Sequence, residues 1–104
     1  MKAGSLLVME LLDPATVTAG IAAGLDWERE GAELVKVRIG KDFADAIAYV
    51  NAVGAMAERM DHHPDIDIRW NTVTLRLSTH TAGGITDLDM DLAGRIDALP
   101  ASNV

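Results

Sequence analysis

The spacing of polar and hydrophobic residues marks where helices begin. Asp13 followed by Pro14 is typical of a helix N-cap and first turn, so a helix is predicted over 14–23. Thr86 is predicted to cap the last helix of the chain, with Asp89 three residues later as an acidic form of the capping box. Both helices carry apolar residues at three- and four-residue spacing, so each is expected to bury one face.

The longest helix is predicted to begin after Asp42 and to end near Asp61, because Pro64 prevents its continuation. Its apolar residues recur every three or four positions and include several small side chains. The predicted stripe comprises Phe43, Ile47, Val50, Gly54, Ala57 and Met60, with Ala46 and Val53 beside it. A stripe of this kind allows another surface to approach closely.

Four extended segments are predicted, at 25–30, 34–39, 66–70 and 72–78. In the second, Val35, Val37 and Ile39 alternate with Lys36 and Arg38, which is typical of a half-buried strand. The last segment shows the clearest alternation of all. The element order α-β-β-α-β-β-α predicts a single α+β domain over 1–104, with a core at about 12–99. Helices would pack on one face of a four-stranded antiparallel sheet.

Composition narrows the classes of function. The chain has 104 residues, a formal net charge of −7 and no cysteine. An acidic balance disfavours binding to nucleic acid or to an anionic membrane surface. Disulfides and thiolate metal sites are excluded. The apolar patch at 6–9 is too short for a signal sequence, and no apolar run approaches the roughly 20 residues that span a bilayer. We therefore expect a cytoplasmic protein.

The histidines are the candidate chemical groups. His62 and His63 follow the long helix, and His80 follows the clearest strand. On the predicted topology the end of that helix and the end of that strand can meet, so three imidazoles can line one pocket. Imidazole changes its charge near neutral pH, which suits general acid–base catalysis. Three carboxylates are expected nearby: Glu58, Asp61 and Asp89.

Two other interpretations stay open on the residues alone. The His-His-Pro run can simply end a helix, where the dipole favours cationic rings. A three-histidine zinc site is less favoured, because adjacent histidines diverge and no His-x-His or His-x-x-x-His spacing occurs. Glu58 and His62 are four residues apart, however, and can share a helical face. Asp89 can serve its helix terminus without any catalytic role.

Several short motifs, in their order and spacing, carry a resemblance to a known family. They are Glu-Arg-Met-Asp-His-His-Pro at 58–64, Trp70-Asn71-x-Val73, Leu77-Ser78-Thr79-His80 and Gly83-Gly84-Ile85-Thr86-x-x-Asp89, with Leu25-Asp26-Trp27 and Lys41-Asp42-Phe43 upstream. Together they resemble the pterin-4a-carbinolamine dehydratases over about 12–99.

The resemblance implies a hydro-lyase, a 4a-hydroxytetrahydrobiopterin dehydratase. Such enzymes remove water from 4a-hydroxytetrahydropterin to give quinonoid dihydropterin, which recycles the pterin of aromatic amino-acid hydroxylases. It implies no metal and no organic cofactor, helices on one side of a four-stranded antiparallel sheet, and assembly into homodimers or homotetramers. Some relatives act as dimerisation or assembly-factor proteins of the same fold, and a non-catalytic role of this kind is the alternative function.

Carried over by motif, the catalytic residues would be His62, His63, His80 and Asp89. Substrate contacts would come from Asp61, Pro64, Ser78, Thr79, Thr81 and Trp27, with Glu58 supporting the helix end. Thr81 replaces a frequent acidic residue, so substrate affinity can differ. Val37 and Ile39 replace frequent aromatics, which we interpret as a change of core packing.

Overall fold

The computed structural model describes residues 10–100, so the apolar patch at 6–9 lies outside the described residues. The helices are α1 (Pro14–Ala22), α2 (Phe43–Met60) and α3 (Asp87–Asp97). The strands are β1 (Glu28–Glu30), β2 (Glu33–Ile39), β3 (Asp65–Arg69) and β4 (Thr72–Leu77). Their order along the chain is the predicted one. Within the described part of the chain, every helix is too short or too polar to cross a membrane.

The strands form one sheet in the order β1-β2-β4-β3, and all neighbours are antiparallel. This confirms the predicted α+β architecture. A two-residue turn joins β3 to β4, with Trp70 in the left-handed region at φ 56°. β1 is shorter than predicted because Asp97 holds the preceding residues: its carboxylate accepts from the backbone N–H of Asp26 at 2.8 Å and from the indole of Trp27 at 2.9 Å.

The core lies between the sheet and the helices. The predicted alternation of β4 is confirmed, since Val73, Leu75 and Leu77 are fully buried and the residues between them are not. The helices cover these side chains with a matching set of buried residues: Val17, Ala46, Tyr49, Val53, Leu92, Ala93 and Ile96. Helices on one face of an antiparallel sheet account for one buried and one open side of each strand.

The buried face of α2 agrees with the predicted stripe in part and is rotated from it in part. Ala46, Val53 and Ala57 are buried as predicted, and Tyr49 is buried as well, whereas Phe43 is 48% exposed and stacks on Trp70. Tyr49 accounts for the rotation, because its ring lies 4.3 Å from the guanidinium of Arg38 and faces the sheet. The predicted positions Ile47, Val50 and Gly54 are half-buried as a result.

The side chains of β2 alternate between the two faces of the sheet, as predicted. Beyond the first residues, however, the apolar side chains lie on the open face and not on the face that packs against the helices. Val37 and Ile39 are 58% and 72% exposed on the open face, so their interpretation as a change of core packing is wrong. Lys36 and Arg38 lie on the helix side instead. The Lys36 ammonium reaches Asp97 at 2.9 Å, and its long apolar stem covers the surface beneath.

Candidate active site

The C-terminal end of α2 sets the position of the first histidine. Asp61 follows the helix in the left-handed conformation, at φ 49° and ψ 43°. This conformation reverses the chain, and the backbone N–H of His62 donates to the carbonyl of Ala57 at 3.1 Å. Pro64 then prevents any helical continuation. The turn directs His62 inward, where it is 8% exposed.

His62 is paired with a buried carboxylate. Its Nε2 lies 2.6 Å from Oδ1 of Asp89, whose side chain is fully buried. Asp89 occupies the third position of α3 and completes the capping box that the sequence predicts, with Thr86 as N-cap. The helix terminus and the histidine therefore share one carboxylate. A carboxylate that orients an imidazole is a recurring element of general acid–base sites.

Two threonines satisfy the other oxygen of Asp89. Oδ2 accepts from the hydroxyl of Thr79 and from the backbone N–H of Thr86, each at 2.8 Å. The two threonine hydroxyls lie 2.7 Å apart, and the hydroxyl of Thr86 also accepts from the N–H of Leu88 at 3.2 Å. Asp89 thus takes part in three hydrogen bonds, and a buried charge is tolerated only when it is bonded in this way.

His63 lies at the surface, beside Glu58. Its Nε2 forms a hydrogen bond with Oε2 of Glu58, and the two side chains are 53% and 77% exposed. The pair confirms the expected proximity of Glu58 to the helix end. Exposed pairs of this kind contribute little to stability, so the ring of His63 can reorient at small cost.

His80 lies in the turn that follows β4. The turn is closed by a bridge between Thr79 and Gly84, and the carbonyl of His80 accepts from the N–H of Gly83 at 3.1 Å. Because the hydroxyl of Thr79 binds Asp89, the backbone of His80 is held next to the His62 pair. The His80 side chain is exposed.

The remaining predicted site residues fall into two groups. Asp61 and Thr81 are exposed, and Pro64 and Ser78 are half-buried, all beside the histidines in sequence. Trp27 is placed differently: it is 3% exposed, and its indole binds Asp97. Asp97 and Asp89 are separated by about 12 Å along α3, at 1.5 Å of rise per residue. The described contacts of Trp27 therefore do not join it to the histidines.

Thr86 is predicted from the sequence as a helix cap and not as a residue of the site. The signal was the Thr86-x-x-Asp89 spacing itself, because a capping box brings the N-cap backbone to the N3 carboxylate. Thr79 was predicted to contact substrate. In the structure its hydroxyl is committed to Asp89, and its backbone N–H donates to Gly84 at 2.8 Å.

The arrangement offers proton donors and acceptors rather than a metal-ligand set. Within residues 10–100, no group of three or more histidine, aspartate or glutamate side chains is placed to hold a metal ion. Glu58 and His62, which share a helical face in the zinc interpretation, have different partners: Glu58 binds His63, and His62 binds Asp89. One buried and two exposed imidazoles are suited to moving protons at the protein surface.

A separate polar cavity of about 370 Å³ lies between β2 and the end of α3, lined in part by Lys36, Tyr49 and Asp97 and by no histidine. Burial raises the pKa of Tyr49. Burial alone would lower the pKa of Lys36, but the carboxylates of Asp97 and Asp26 outweigh that effect, and the net shift is upward. Lys36 and Asp97 are thus paired with each other, at 2.9 Å, on the wall of this cavity.

Comparison with known proteins identifies one family across most of the chain. Residues 10–99 match the model of the pterin 4 alpha carbinolamine dehydratase family. A protein of Nocardia farcinica, provisionally named a pterin-4-alpha-carbinolamine dehydratase, is 47% identical over 93 residues, covering 89% of this chain and 98% of its own. A protein of the same provisional name from Thermomicrobium roseum is 46% identical over 91 residues, covering 88% of this chain and 98% of its own.

Solved structures agree. A transcriptional coactivator/pterin dehydratase from Brucella melitensis superposes with a TM-score of 0.78 at 27% identity, over 84% of this chain and 95% of that one. A pterin dehydratase-like protein described as a RuBisCO assembly factor of the alpha-carboxysome gives a TM-score of 0.56 at 25% identity, over 69% and 83% of the two chains. The same fold is thus associated with both enzymatic and assembly descriptions.

Proposed function

Because the chain belongs to the pterin 4 alpha carbinolamine dehydratase family, we propose that it is a hydro-lyase acting on 4a-hydroxytetrahydropterin. Its product would be quinonoid dihydropterin. The observation that carries this proposal is the buried pair of His62 and Asp89 at the end of α2. His63 follows His62 in the chain, His80 follows Thr79, which bonds Asp89, and both side chains are exposed. A buried carboxylate that orients one imidazole prepares that ring for proton transfer.

The reaction requires two proton transfers and no change of oxidation state. The C4a–O bond breaks, and its electron pair leaves with oxygen, which takes a proton from an acid and departs as water. A base removes the proton from N5, and the N–H electron pair becomes the second bond between N5 and C4a. A positioned acid or base typically contributes about 10²–10⁴-fold to the rate. Two imidazoles can supply both transfers without a metal or an organic cofactor.

Within this proposal His62 and His80 share the acid and base roles. His63 is the third member, able to act on the opposite stereochemistry at C4a. Contacts to the pterin ring edge would come from Asp61, Pro64, Ser78 and Thr81 and from backbone groups near Thr79. The product would feed the pterin cycle of an aromatic amino-acid hydroxylase, in the cytoplasm.

Self-association is part of the proposal. β2 pairs with β1 only through residues 33–35, so 36–39 lie at the edge of the sheet, with Val37 and Ile39 exposed. Edge strands with exposed apolar residues favour pairing with another strand. A homodimer formed here, or a homotetramer built from it, would leave the histidines at the opposite end of α2 accessible. Sedimentation equilibrium of wild type and of a Val37→Lys variant would test this.

The activity is tested by single alanine variants of the histidines, assayed on freshly generated carbinolamine. Glu28→Ala serves as the control, since Glu28 is exposed on β1. We expect His62→Ala and His80→Ala each to lower the catalysed rate by about 10²-fold or more, and Glu28→Ala to leave it unchanged. If both histidine variants retain the full catalysed rate, the proposed function is wrong.

A non-catalytic dimerisation or assembly role is the second candidate. It is favoured by the likeness to a structure described as an assembly factor, at a TM-score of 0.56. Such a role would use the edge of β2 or the half-buried face of α2 rather than the imidazoles. Affinity capture with wild type and with a triple histidine-to-alanine variant separates the two. A partner retained by the variant, together with a wild type that fails to catalyse dehydration, would favour the assembly role.

A further inference from the structure

The hydrogen bonds around Asp89 determine where each proton lies. Oδ2 of Asp89 accepts from the backbone N–H of Thr86, which can only donate. The hydroxyl of Thr79 donates to the same oxygen. With its single proton used there, Thr79 must accept at its contact with Thr86, so the hydroxyl of Thr86 is the donor across that 2.7 Å contact. The N–H of Leu88 donates in turn to Thr86. Every bond points toward the carboxylate.

The same inventory assigns the proton between Asp89 and His62. A carboxylic acid is ordinarily far more acidic than an imidazolium ion, so the proton in the 2.6 Å contact belongs to the ring nitrogen. Neutral His62 therefore carries its hydrogen on Nε2, and its lone pair is on Nδ1.

The Nδ1 atom is in a position to react. Among residues 10–100, His62 forms hydrogen bonds through Nε2 and through its backbone N–H, and none through Nδ1. Within residues 10–100, the side-chain polar atoms that are buried without a hydrogen-bond partner belong to Arg38 and Tyr49, and Nδ1 of His62 is not among them. Nδ1 is therefore not completely buried, and it is the ring nitrogen of His62 that remains available to a ligand.

From these contacts we infer that Thr86 is a positioning residue for catalysis, and that Nδ1 of His62 is the atom that accepts a proton from the substrate. Thr86 acts through two routes, directly by its backbone N–H on Asp89 and indirectly by directing the hydroxyl of Thr79. This inference rests on the proposed dehydration. Nδ1 takes the proton from N5 of the carbinolamine, the N–H electron pair forms the second bond to C4a, and the hydroxyl leaves with its pair. The acid that protonates this hydroxyl is a different group, for which exposed His80 is available.

The test combines ring-nitrogen NMR with steady-state kinetics on four forms of the full chain: wild type, Thr86→Val, Thr86→Ser and Asp13→Ala. Asp13 is the matched control, because it caps α1 with a 2.8 Å bond to the N–H of Thr16 and lies outside the site. It separates the loss of a helix cap from the loss of the hydroxyl chain. Thr79→Val is the substitute if Thr86→Val fails to fold, since it removes a hydroxyl and no cap.

We expect neutral His62 of the wild type to show hydrogen on Nε2 alone. Thr86→Val keeps the backbone N–H on Asp89 but removes the hydroxyl that bonds Thr79. It should introduce the second tautomer and lower kcat by about two- to tenfold, as expected for the loss of one hydrogen bond between neutral groups, with KM little changed. Thr86→Ser should restore both, and Asp13→Ala should match wild type in both. The inference is overturned by an active wild type with hydrogen on Nδ1, or by a Thr86→Val variant with wild-type tautomer and kcat. A wild type with hydrogen on Nε2 and no dehydratase activity instead overturns the proposed function and leaves the ring assignment standing.

Discussion

Asp89→Asn replaces the central carboxylate with an amide of the same size. The amide oxygen can take the place of Oδ2 and keep the bonds from Thr79 and Thr86, each now 2.8 Å. The amide NH₂ then faces Nε2 of His62, where the present contact is 2.6 Å. Two donors oppose each other there, so His62 must move its hydrogen to Nδ1 or lose the bond. If the hydrogen moves, Nδ1 no longer carries the lone pair; if the bond is lost, the ring loses the carboxylate that orients it.

The magnitude follows from the one bond that is lost. A hydrogen bond to a charged group contributes about 1.5–3 kcal/mol. For a domain of this size 1 kcal/mol corresponds to roughly 4–8 °C in Tm. Asp89→Asn should therefore lower Tm by about 6–24 °C. Catalysis should fall further than stability accounts for, with kcat reduced at temperatures where the variant is fully folded.

Thermal unfolding followed by circular dichroism is the assay, with dehydration kinetics measured well below Tm. Asp91→Asn is the matched control, since Asp91 lies on the same helix but is exposed and, among residues 10–100, forms an ion pair with Arg95 alone, at 3.1 Å. Exposed pairs contribute little, so this variant should resemble wild type. Equal Tm values for Asp89→Asn and Asp91→Asn would refute the claim that the Asp89 hydrogen bonds stabilise the site.

Two further outcomes are expected from the fold. Leu75→Ala removes a fully buried side chain of β4 and should lower the free energy of unfolding by about 2–5 kcal/mol in urea denaturation; Thr74→Ala, on the open face, is the control, and equal losses would contradict the assignment of faces. Burial lowers the pKa of Lys36, but Asp97 and Asp26 raise it by more, so the pKa in the folded protein is above that of an ordinary lysine. The stabilisation from Lys36 is therefore complete below the ordinary lysine pKa and is lost as the pH rises through the folded value. Alkaline unfolding profiles should therefore be less steep for Lys36→Met than for wild type, whereas Lys41→Met should follow wild type; identical profiles for all three would argue against the pairing.

Local signals in the sequence were sufficient for most of the architecture. Asp13, Asp42 and Thr86 cap their helices as predicted, because capping depends on residues three positions apart. The inward face of β4 was also predicted correctly, because successive side chains of a strand point to opposite faces of the sheet. Fold class followed from the order of the elements.

The errors arose where long-range contacts decide. Lys36 faces the helices because its ammonium group donates a hydrogen bond to the carboxylate of Asp97, 61 residues later. Tyr49 turns α2 through its contact with Arg38 of another element. Neither contact leaves a periodic signal in the sequence. Hydrophobicity therefore placed Val37 and Ile39 in the core, and it predicted a buried face of α2 that did not include Tyr49.

The candidate site shows the same division. The three histidines and Asp89 were identified from motifs, and the structure adds that Asp89 bonds His62 rather than the other rings. The part played by Thr86 depends on the direction of hydroxyl protons across three elements. That direction follows from contacts between separate elements of the fold, which leave no local pattern in the sequence.

The most direct measurement is an NMR titration of the histidine ring signals with a stable dihydropterin. We expect saturable shifts for His62 and His80, with the largest change at Nδ1 of His62, and no shift at the methyl groups of Val37 on the open face. Saturable binding that moves Val37 and leaves all three imidazoles unchanged, or no binding up to the solubility limit of the pterin, would contradict it.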